Sequence, residues 1–396
     1  MKRKKKILWI CTFTNEEKRS HLDLWRTRRG EVGQWIPNLI KGFIGDSCYE
    51  IHVVSAQLWM RHTRQSWTQD GITYHCFQPG IPGIGYSFRT PFEAWTRYFF
   101  NRQHIRKIIA EVKPDLIHLF GAENASYASA ILDVDPKTPV LVLIQGFIHR
   151  DRQPGFNARS RCYYEGLIIK HCNHYIGDYE SEHVVKQMNP KASWRHFYLP
   201  VNEALIVRTP ECEKKYDILF AGGMTAVKGF PDFLELVRML REKFPTLKAG
   251  VVGKMEHFPP AQAFVETHRL EHTIDWLGRF PNQEGLFKAY RQSRLFIAPT
   301  YNDAFASTIR ECMLLGTPVI AYRTGGIPYA NRDGNENVVI VPQGDIDGMV
   351  TCCDVLLTDI PRREALAAQA KAFAEREFSL DTNTAIVRKA YQDMLE

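Results

Sequence analysis

Two carboxylates, Asp303 and Glu311, stand eight positions apart in the run APTYNDAFASTIRECMLLGTPVIAYRTGG, around a loop of small residues. If a helix begins inside that interval, Asp303 lies before its N-terminus and Glu311 about two turns in. Both can then face one ligand at the helix start. The strand-like RLFIAPT ends at this loop, and AFAS offers small side chains with Ser307 as a capping residue. Exposed amides at Ala306, Ser307 and Thr308 suit a diphosphate, because the first N–H groups of a helix lack acceptors and sit at the positive end of its dipole. Glu311 could accept hydrogen bonds from hydroxyls such as those of a sugar, or pair with Arg310 or another surface base.

A second phosphate-type stretch precedes it. DILFAGGMTAVKGFPDFLELVRML reads as a strand, a glycine loop and an amphipathic helix. Gly222 and Gly223 allow backbone amides to approach a ligand closely, and Lys228 adds an ammonium near the next helix start. The stretch follows neither the dinucleotide GxGxxG pattern nor the phosphate loop ending in GK[ST]. Each piece alone is ambiguous, since strand–Gly–helix turns are common; their order is informative.

The elements that must position these residues follow from apolar periodicity. KILWICTF, YEIHVVSA, ITYHCF, DLIHLFG, PVLVLIQG and HYIGD are short apolar runs bounded by polar or turn residues, as buried strands are. Amphipathic stretches such as RYFFNRQHIRKIIAEVK separate several of them. The pattern restarts with DILFAGG, LKAGVVG, TIDWLG, RLFIAPT, TPVIAY and NVVIVPQ. Strand–helix alternation predicts two parallel sheets covered by helices, with the charged, proline-containing stretch from about 200 to 214 as linker. The C-terminal stretch reads as helical, broken near FSLD. Two doubly wound domains are expected to face each other across a cleft, with ligands beyond the carboxyl ends of the strands.

Composition narrows the class. A chain of 396 residues, 44% hydrophobic, suffices for two or three domains with substantial cores. It has no run of about 18 apolar residues, the length a membrane-spanning helix needs, and the N-terminal MKRKKKILWICTF reads as a first strand, not a secretion signal. Nine scattered cysteines without CxxC spacing point to a reduced, cytoplasmic protein without structural zinc. Residues 1–200 carry 28 Lys/Arg against 18 Asp/Glu, and the remainder 23 against 26. The basic half is either a solvated surface or meets something anionic, such as a phospholipid surface. No nucleic-acid motif accompanies the charge.

Taken together, FAGGMTAVKG, WLGRF, NDAFASTIRECMLLGTPVIA and GGIPYANRDGNENVVIVPQGD make Asp217 to about Asp345 resemble the C-terminal half of the group 1 (family 4) retaining glycosyltransferases. That family has a GT-B fold of two facing Rossmann-like domains, and a Glu-x7-Glu pattern whose spacing Asp303 and Glu311 keep. The resemblance implies that Glu311 binds the ribose of a nucleotide-sugar and Asp303 contacts the transferred sugar. It further implies that Lys228 neutralises the diphosphate, that Phe305, in the loop of Asp303, lies on the donor side, and that Arg279 and Phe280 meet the base. The N-terminal half matches more loosely. Gly33, in RRGEVGQW, would lie near the diphosphate, and Gln145, Gly146, His149 and Arg150 would fall on the acceptor side. The implied domains are 1–200 with about 380–396, for the acceptor, and 201–379, for the donor; the last helix returns to the first domain.

The sequence departs from that pattern in places. The first acid is Asp303, one methylene shorter than Glu; Ala304 and Ala306 replace glycines; Gly223 stands where Arg is common, leaving a contact to Arg150 or Arg152. Gln145-Gly146 stands where relatives have His-Gly, and Tyr329 replaces an acid. The expected activity is metal-independent, retaining transfer of a sugar from a nucleotide-sugar to a glycan or polyprenyl-linked acceptor, in surface-polysaccharide assembly, with no cofactor. Aromatics interleaved with Arg and Lys in GIPGIGYSFRTPFEAWTRYFFNRQHIRKIIAEVK suit either helix core or the inner face of the plasma membrane. A non-catalytic nucleotide-sugar-binding protein, or an epimerase or phosphorylase of the same fold, are the alternatives.

Overall fold

The computed structural model describes residues 3–27, 32–80, 86–150, 155–254 and 260–396, with the side chains of 86–90 and Arg150 left out. The chain divides into two compact units, Met1–Pro200 with Leu380–Glu396, and Val201–Ser379.

The first unit holds eight strands: β1 (Lys5–Cys11), β2 (Tyr49–Ala56), β3 (Arg64–Gln69), β4 (Ile72–Phe77), β5 (Leu116–Phe120), β6 (Val140–Leu143), β7 (His174–Gly177) and β8 (Ser193–His196). They form one sheet in the order β3-β4-β2-β1-β5-β6-β7-β8. All neighbours are parallel except β3 and β4. The central strands are continuous apolar runs because helices cover both faces; Ile7 to Cys11 and Leu116 to Phe120 are fully buried.

β3 and β8 lie outside the apolar runs read from the sequence. β3, RQSWTQ, is an edge strand with an alternating exposed and half-buried pattern, the charged, polar edge that discourages further pairing. It joins β4 through Asp70 and Gly71, both at positive φ, the two-residue turn that Asp-Gly favours. β8, SWRH, is likewise a polar edge.

Helix Leu380–Leu395 completes this unit. Its buried Tyr391 hydroxyl meets the His118 ring at 2.6 Å, and Val387, Ala390 and Tyr391 pack with Trp9 and Phe43 in one apolar cluster. Burial without a charged partner pushes the His118 imidazole down to about 3, so it stays neutral.

The second unit holds β9 (Tyr216–Ala221), β10 (Ala249–Val252), β11 (Ile274–Gly278), β12 (Ser293–Ala298), β13 (Val319–Tyr322) and β14 (Val339–Val341). Its sheet is parallel throughout, in the order β11-β10-β9-β12-β13-β14. Successive crossovers move one way from β9 to β11, then restart on the other side of β9 at β12. Helix Phe230–Lys243 buries Phe230, Phe233, Leu234, Leu236, Val237 and Leu240, the apolar stripe of an amphipathic helix lying on a sheet. The stretch expected as linker contains a helix, Glu203–Arg208, capped by the Asn202 side chain.

Candidate active site

In an open parallel sheet the crevice lies where the strand order reverses, outside the carboxyl ends of the two strands that flank it. In the second unit those strands are β9 and β12. The loop after β9 carries Gly222 to Gly229; the loop after β12 carries Pro299 to Ala306. These are the two stretches singled out in the sequence, and the fold places them side by side.

Several contacts stitch the loops together. Tyr301 N donates to Val227 O at 2.9 Å, and Thr324 Oγ1 donates to Thr300 O at 2.6 Å. Gln343 Nε2, after β14, donates to Thr324 Oγ1 at 2.7 Å and Tyr301 O at 3.2 Å. Two glycines at positive φ permit the approach: a Cβ on Gly229 would run into the Pro299 carbonyl, and one on Gly325 into the Asp303 carbonyl. Gly222 and Gly223 are different. Neither has positive φ, and a Cβ on either meets only ordinary contacts, 3.7 Å to the Phe220 ring and 3.9 Å to Thr225. Nothing in the fold itself requires glycine there.

Lys228 ends a short 3-10 turn, and its own N–H donates to Thr225 Oγ1 at 3.3 Å. Its Nζ reaches Asp303 Oδ2 at 2.5 Å. The side chains are 38% and 18% exposed, so the pair is partly wet and its net worth is roughly 0–1 kcal/mol. An incoming anion can displace it at little cost.

Helix Ser307–Leu314 starts directly after this loop. Ser307 is its first helical residue, not the cap: Ala306 holds the N-cap position, and no side chain caps the helix. An extended Ala306 turns the chain into the helix without needing a hydroxyl, which leaves the first-turn N–H groups of Ser307 and Thr308 facing outward from the helix end. Phe305 is buried, edge-on to Phe378 at 5.6 Å. Glu311 is the fifth helical residue, a little over one turn in. It is 5% exposed and faces the Tyr290 hydroxyl at 3.4 Å. Burial pushes its carboxyl up to about 7, against the opposing charge of Arg310. Tyr290, from helix Gln283–Arg291, has no motif of its own in the sequence.

Arg279 and Phe280 follow β11, two strands from β9. Arg279 is exposed and Phe280 half-buried, its ring lying over Gly285, where a Cβ would come within 2.5 Å. Backbone bonds link these strand ends: Gly222 N to Val252 O and Gly253 N to Gly278 O, both at 3.0 Å.

The remaining predicted residues belong to the first unit. Gly33 sits at φ +71°, and a Cβ there would lie 2.8 Å from Thr12 O, just past β1, so the position suits glycine. Gln145 and Gly146 follow β6, part-buried. His149 Nδ1 pairs with Glu165 Oε2 at 2.7 Å; Glu165 also accepts from Ile148 N at 2.8 Å and His149 N at 3.3 Å. The Arg150 side chain and Arg152 lie outside the described residues. Glu165 is only 1% exposed and escaped the sequence reading; its signal was an acid inside the apolar CYYEGLII.

Residues 201–373 match the family model described as Glycosyl transferases group 1. A D-inositol 3-phosphate glycosyltransferase of Streptomyces bingchenggensis is 31% identical over 130 residues, 31% of this chain and 29% of that protein. The chain spans less than half the length of the curated relatives it matches. Among solved structures, a sucrose-phosphate synthase of Thermosynechococcus elongatus superposes with a TM-score of 0.75 at 16% identity, covering 98% of this chain and 99% of that one. A trehalose-6-phosphate structure from E. coli bound with UDP-2-fluoro glucose gives 0.71 at 10% identity, with 99% of each chain covered. These likenesses establish the two-sheet GT-B fold. Over residues 201–373, less than half of its length, the chain is similar to the group 1 glycosyltransferases.

Proposed function

We propose that the protein moves a sugar, with retention of configuration and without a metal, from a nucleoside-diphosphate sugar to a hydroxyl of a glycan or polyprenyl-linked acceptor. The observation that carries this is the Lys228–Asp303 pair at the order reversal of the second sheet. On donor arrival Lys228 exchanges Asp303 for the diphosphate. The N–H groups of Ser307 and Thr308 and the backbone at Gly222 and Gly223 add their dipoles. Asp303, released, accepts from the transferred sugar, Glu311 from the ribose, and Arg279 and Phe280 meet the base. The structure of a UDP-2-fluoro glucose complex within the same fold supports a nucleotide-sugar donor.

Chemically, the departing diphosphate needs positive charge as an oxocarbenium-like sugar develops, and fixed N–H dipoles with one ammonium supply it without reorganisation. The acceptor hydroxyl attacks the face the diphosphate leaves: its oxygen bonds the anomeric carbon as the bond to the diphosphate oxygen breaks, and its proton passes to that departing oxygen. Incubation with a panel of nucleotide-sugars should release nucleoside diphosphate, faster with acceptor and undiminished by EDTA, and NMR should show a retained anomer. An inverted product or an adduct on Asp303 would overturn the mechanism. Nucleotide binding without release would favour a non-catalytic binding protein.

The first unit supports a membrane-surface setting, at the inner face of the plasma membrane and in surface-polysaccharide assembly. Trp95, Phe99, Phe156 and Tyr163 are 53–73% exposed, on helices Tyr86–Trp95, Phe99–Val112 and Phe156–His171. Exposed Arg97, Arg106, Lys107 and Arg159 lie among them. Aromatic rings beside cations suit an anionic lipid interface. No helix among the described residues is long and apolar enough to cross a membrane. Binding to anionic vesicles that weakens with salt is expected; indifference to lipid charge would remove this part.

A further inference from the structure

The order of the first sheet reverses between β1 and β5, and the loop after β5 carries Glu123. The residue as a whole is part-buried, yet its Oε2 is shut from solvent and has no hydrogen-bond partner among the described residues. The carboxyl caps no helix. Among the described residues, Arg161 gives its Nε to the Glu123 backbone carbonyl at 3.2 Å and acts on the carboxyl through its charge.

The loop is shaped around this group. Gly121 sits at φ +90°, and a Cβ there would fall 2.5 Å from both Glu123 carboxyl oxygens. A buried polar atom without a partner is unfavourable for the fold and rare in native structures. That points away from a structural role and toward a ligand.

The adjacent strand brings a second acceptor. β5 pairs with β6, and the loop after β6 carries His149, whose side chain is 37% exposed. Glu165 Oε2 accepts a hydrogen bond from His149 Nδ1 at 2.7 Å while anchored by two backbone N–H groups. A carboxylate on Nδ1 fixes the tautomer with its lone pair on Nε2. A carboxyl oxygen and an imidazole nitrogen therefore follow adjacent strands at one end of the same sheet, the oxygen shut from solvent in this conformation and the ring part-exposed. Hydroxyl hydrogens satisfy both. A metal ion is a poorer fit, since no group of three His, Cys, Asp or Glu among the described residues is spaced to hold one.

We propose that Glu123 and His149, the latter positioned by Glu165, form a hydroxyl-recognition subsite in the first unit for a neutral, polyhydroxylated acceptor. This rests on the glycosyltransferase reading and names the chemistry of its acceptor side. Burial, with the charge of Glu165 adding to it and Arg161 opposing, pushes the Glu123 carboxyl up to about 8. It is then an uncharged acid at neutral pH, with one proton to give and one oxygen to accept. Such a group matches a sugar hydroxyl better than an ammonium.

The test is saturation-transfer NMR on the full chain with myo-inositol, D-glucose and glycerol, and separately with UDP. At least one polyol should receive saturation from the wild type. Glu123→Leu and His149→Phe should cut that signal at least five-fold. Glu123→Gln, which keeps an acceptor and a donor, should lose less than the leucine variant. Glu165→Gln should lose two- to five-fold and move the 15N shifts of His149 toward the other tautomer, which a merely structural role would not do. UDP saturation, read in every variant, reports folding and the donor reading independently. No polyol signal in the wild type, or equal signals in wild type and Glu123→Leu, overturns the subsite. Polyol binding without UDP binding keeps it and sinks the donor assignment.

Discussion

Both units reverse their strand order once, but the two reversal points are built differently. In the second, the loops are tied by backbone and side-chain hydrogen bonds across β9, β12, β13 and β14, and the two opposite charges are paired as Lys228–Asp303. In the first, the corresponding loops hold a carboxyl oxygen with no hydrogen-bond partner among the described residues, Glu123 Oε2, beside a buried acid committed to His149. A site for an anion of fixed shape, the diphosphate, benefits from rigid dipoles and a preset cation. A site for hydroxyls needs acceptors left over after the fold has satisfied itself. The contrast fits a division of labour between donor and acceptor.

The strongest way to break this contrast is at Lys228. Lys228→Ala should lower nucleoside-diphosphate release by roughly 10²–10³-fold, with the melting temperature nearly unchanged because the lost pair is partly wet. A small kinetic effect with a large loss of stability would make the pair structural.

Next in size are the raised acids, one in each unit. An acid whose folded pKa exceeds its unfolded value penalises the fold above that pKa and not below the unfolded one. Glu311 goes from 4.5 to about 7, so Glu311→Gln should stabilise by on the order of 3 kcal/mol at pH 8 and by nothing at pH 4. The same variant should lose activity. Glu123, raised from 4.5 to about 8, should give the same sign over a window reaching higher in pH. Thermal melts at pH 4 and pH 9 read both. Flat differences across pH would mean that neither acid is held for function at the expense of stability.

The glycines sharpen the comparison within the second unit. Gly229→Ala collides with the Pro299 carbonyl at positive φ and should cost about 1–3 kcal/mol in chemical denaturation. Gly222→Ala, unhindered by the fold, should leave stability within about 0.5 kcal/mol and still reduce donor affinity in calorimetry. If both variants bind donor normally, close backbone approach at Gly222 is not part of the site.

The smallest expected effect is Tyr391→Phe. It removes the hydroxyl on His118 and should cost about 1 kcal/mol. Since His118 is held neutral, down to about 3, stability should also fall as pH drops below 6.5, in both proteins. Urea titrations at pH 7 and pH 5 check this.

Much of the frame was legible. Each of the twelve apolar runs became a strand, because a parallel sheet covered on both faces leaves its strands no polar alternation to blur the signal. β3 and β8 were missed for the converse reason: both are polar edges, and only the Asp70-Gly71 turn betrayed the first. The loop order around Lys228 and Asp303 could be read locally, but their contact joins residues 75 positions apart, and no local period encodes such a distance. Ser307 looked like a cap because Ser often is one; the extended backbone of Ala306 took that place. Glu123 and Tyr290 were invisible as site residues because their significance is burial, a property of packing and not of spacing; Glu165 showed only as an acid inside an apolar run.

The last helix carries a consequence for biogenesis. His118 and Asp46 are completed by Tyr391 and Arg388, 273 and 342 positions downstream, whereas residues 201–379 hold all of the second unit. During synthesis the first unit lacks its final piece until the whole second unit has been made, leaving Trp9 and Phe43 uncovered. The half that emerges earliest is therefore the half that matures last, and loss of the tail would be felt nearly four hundred residues away.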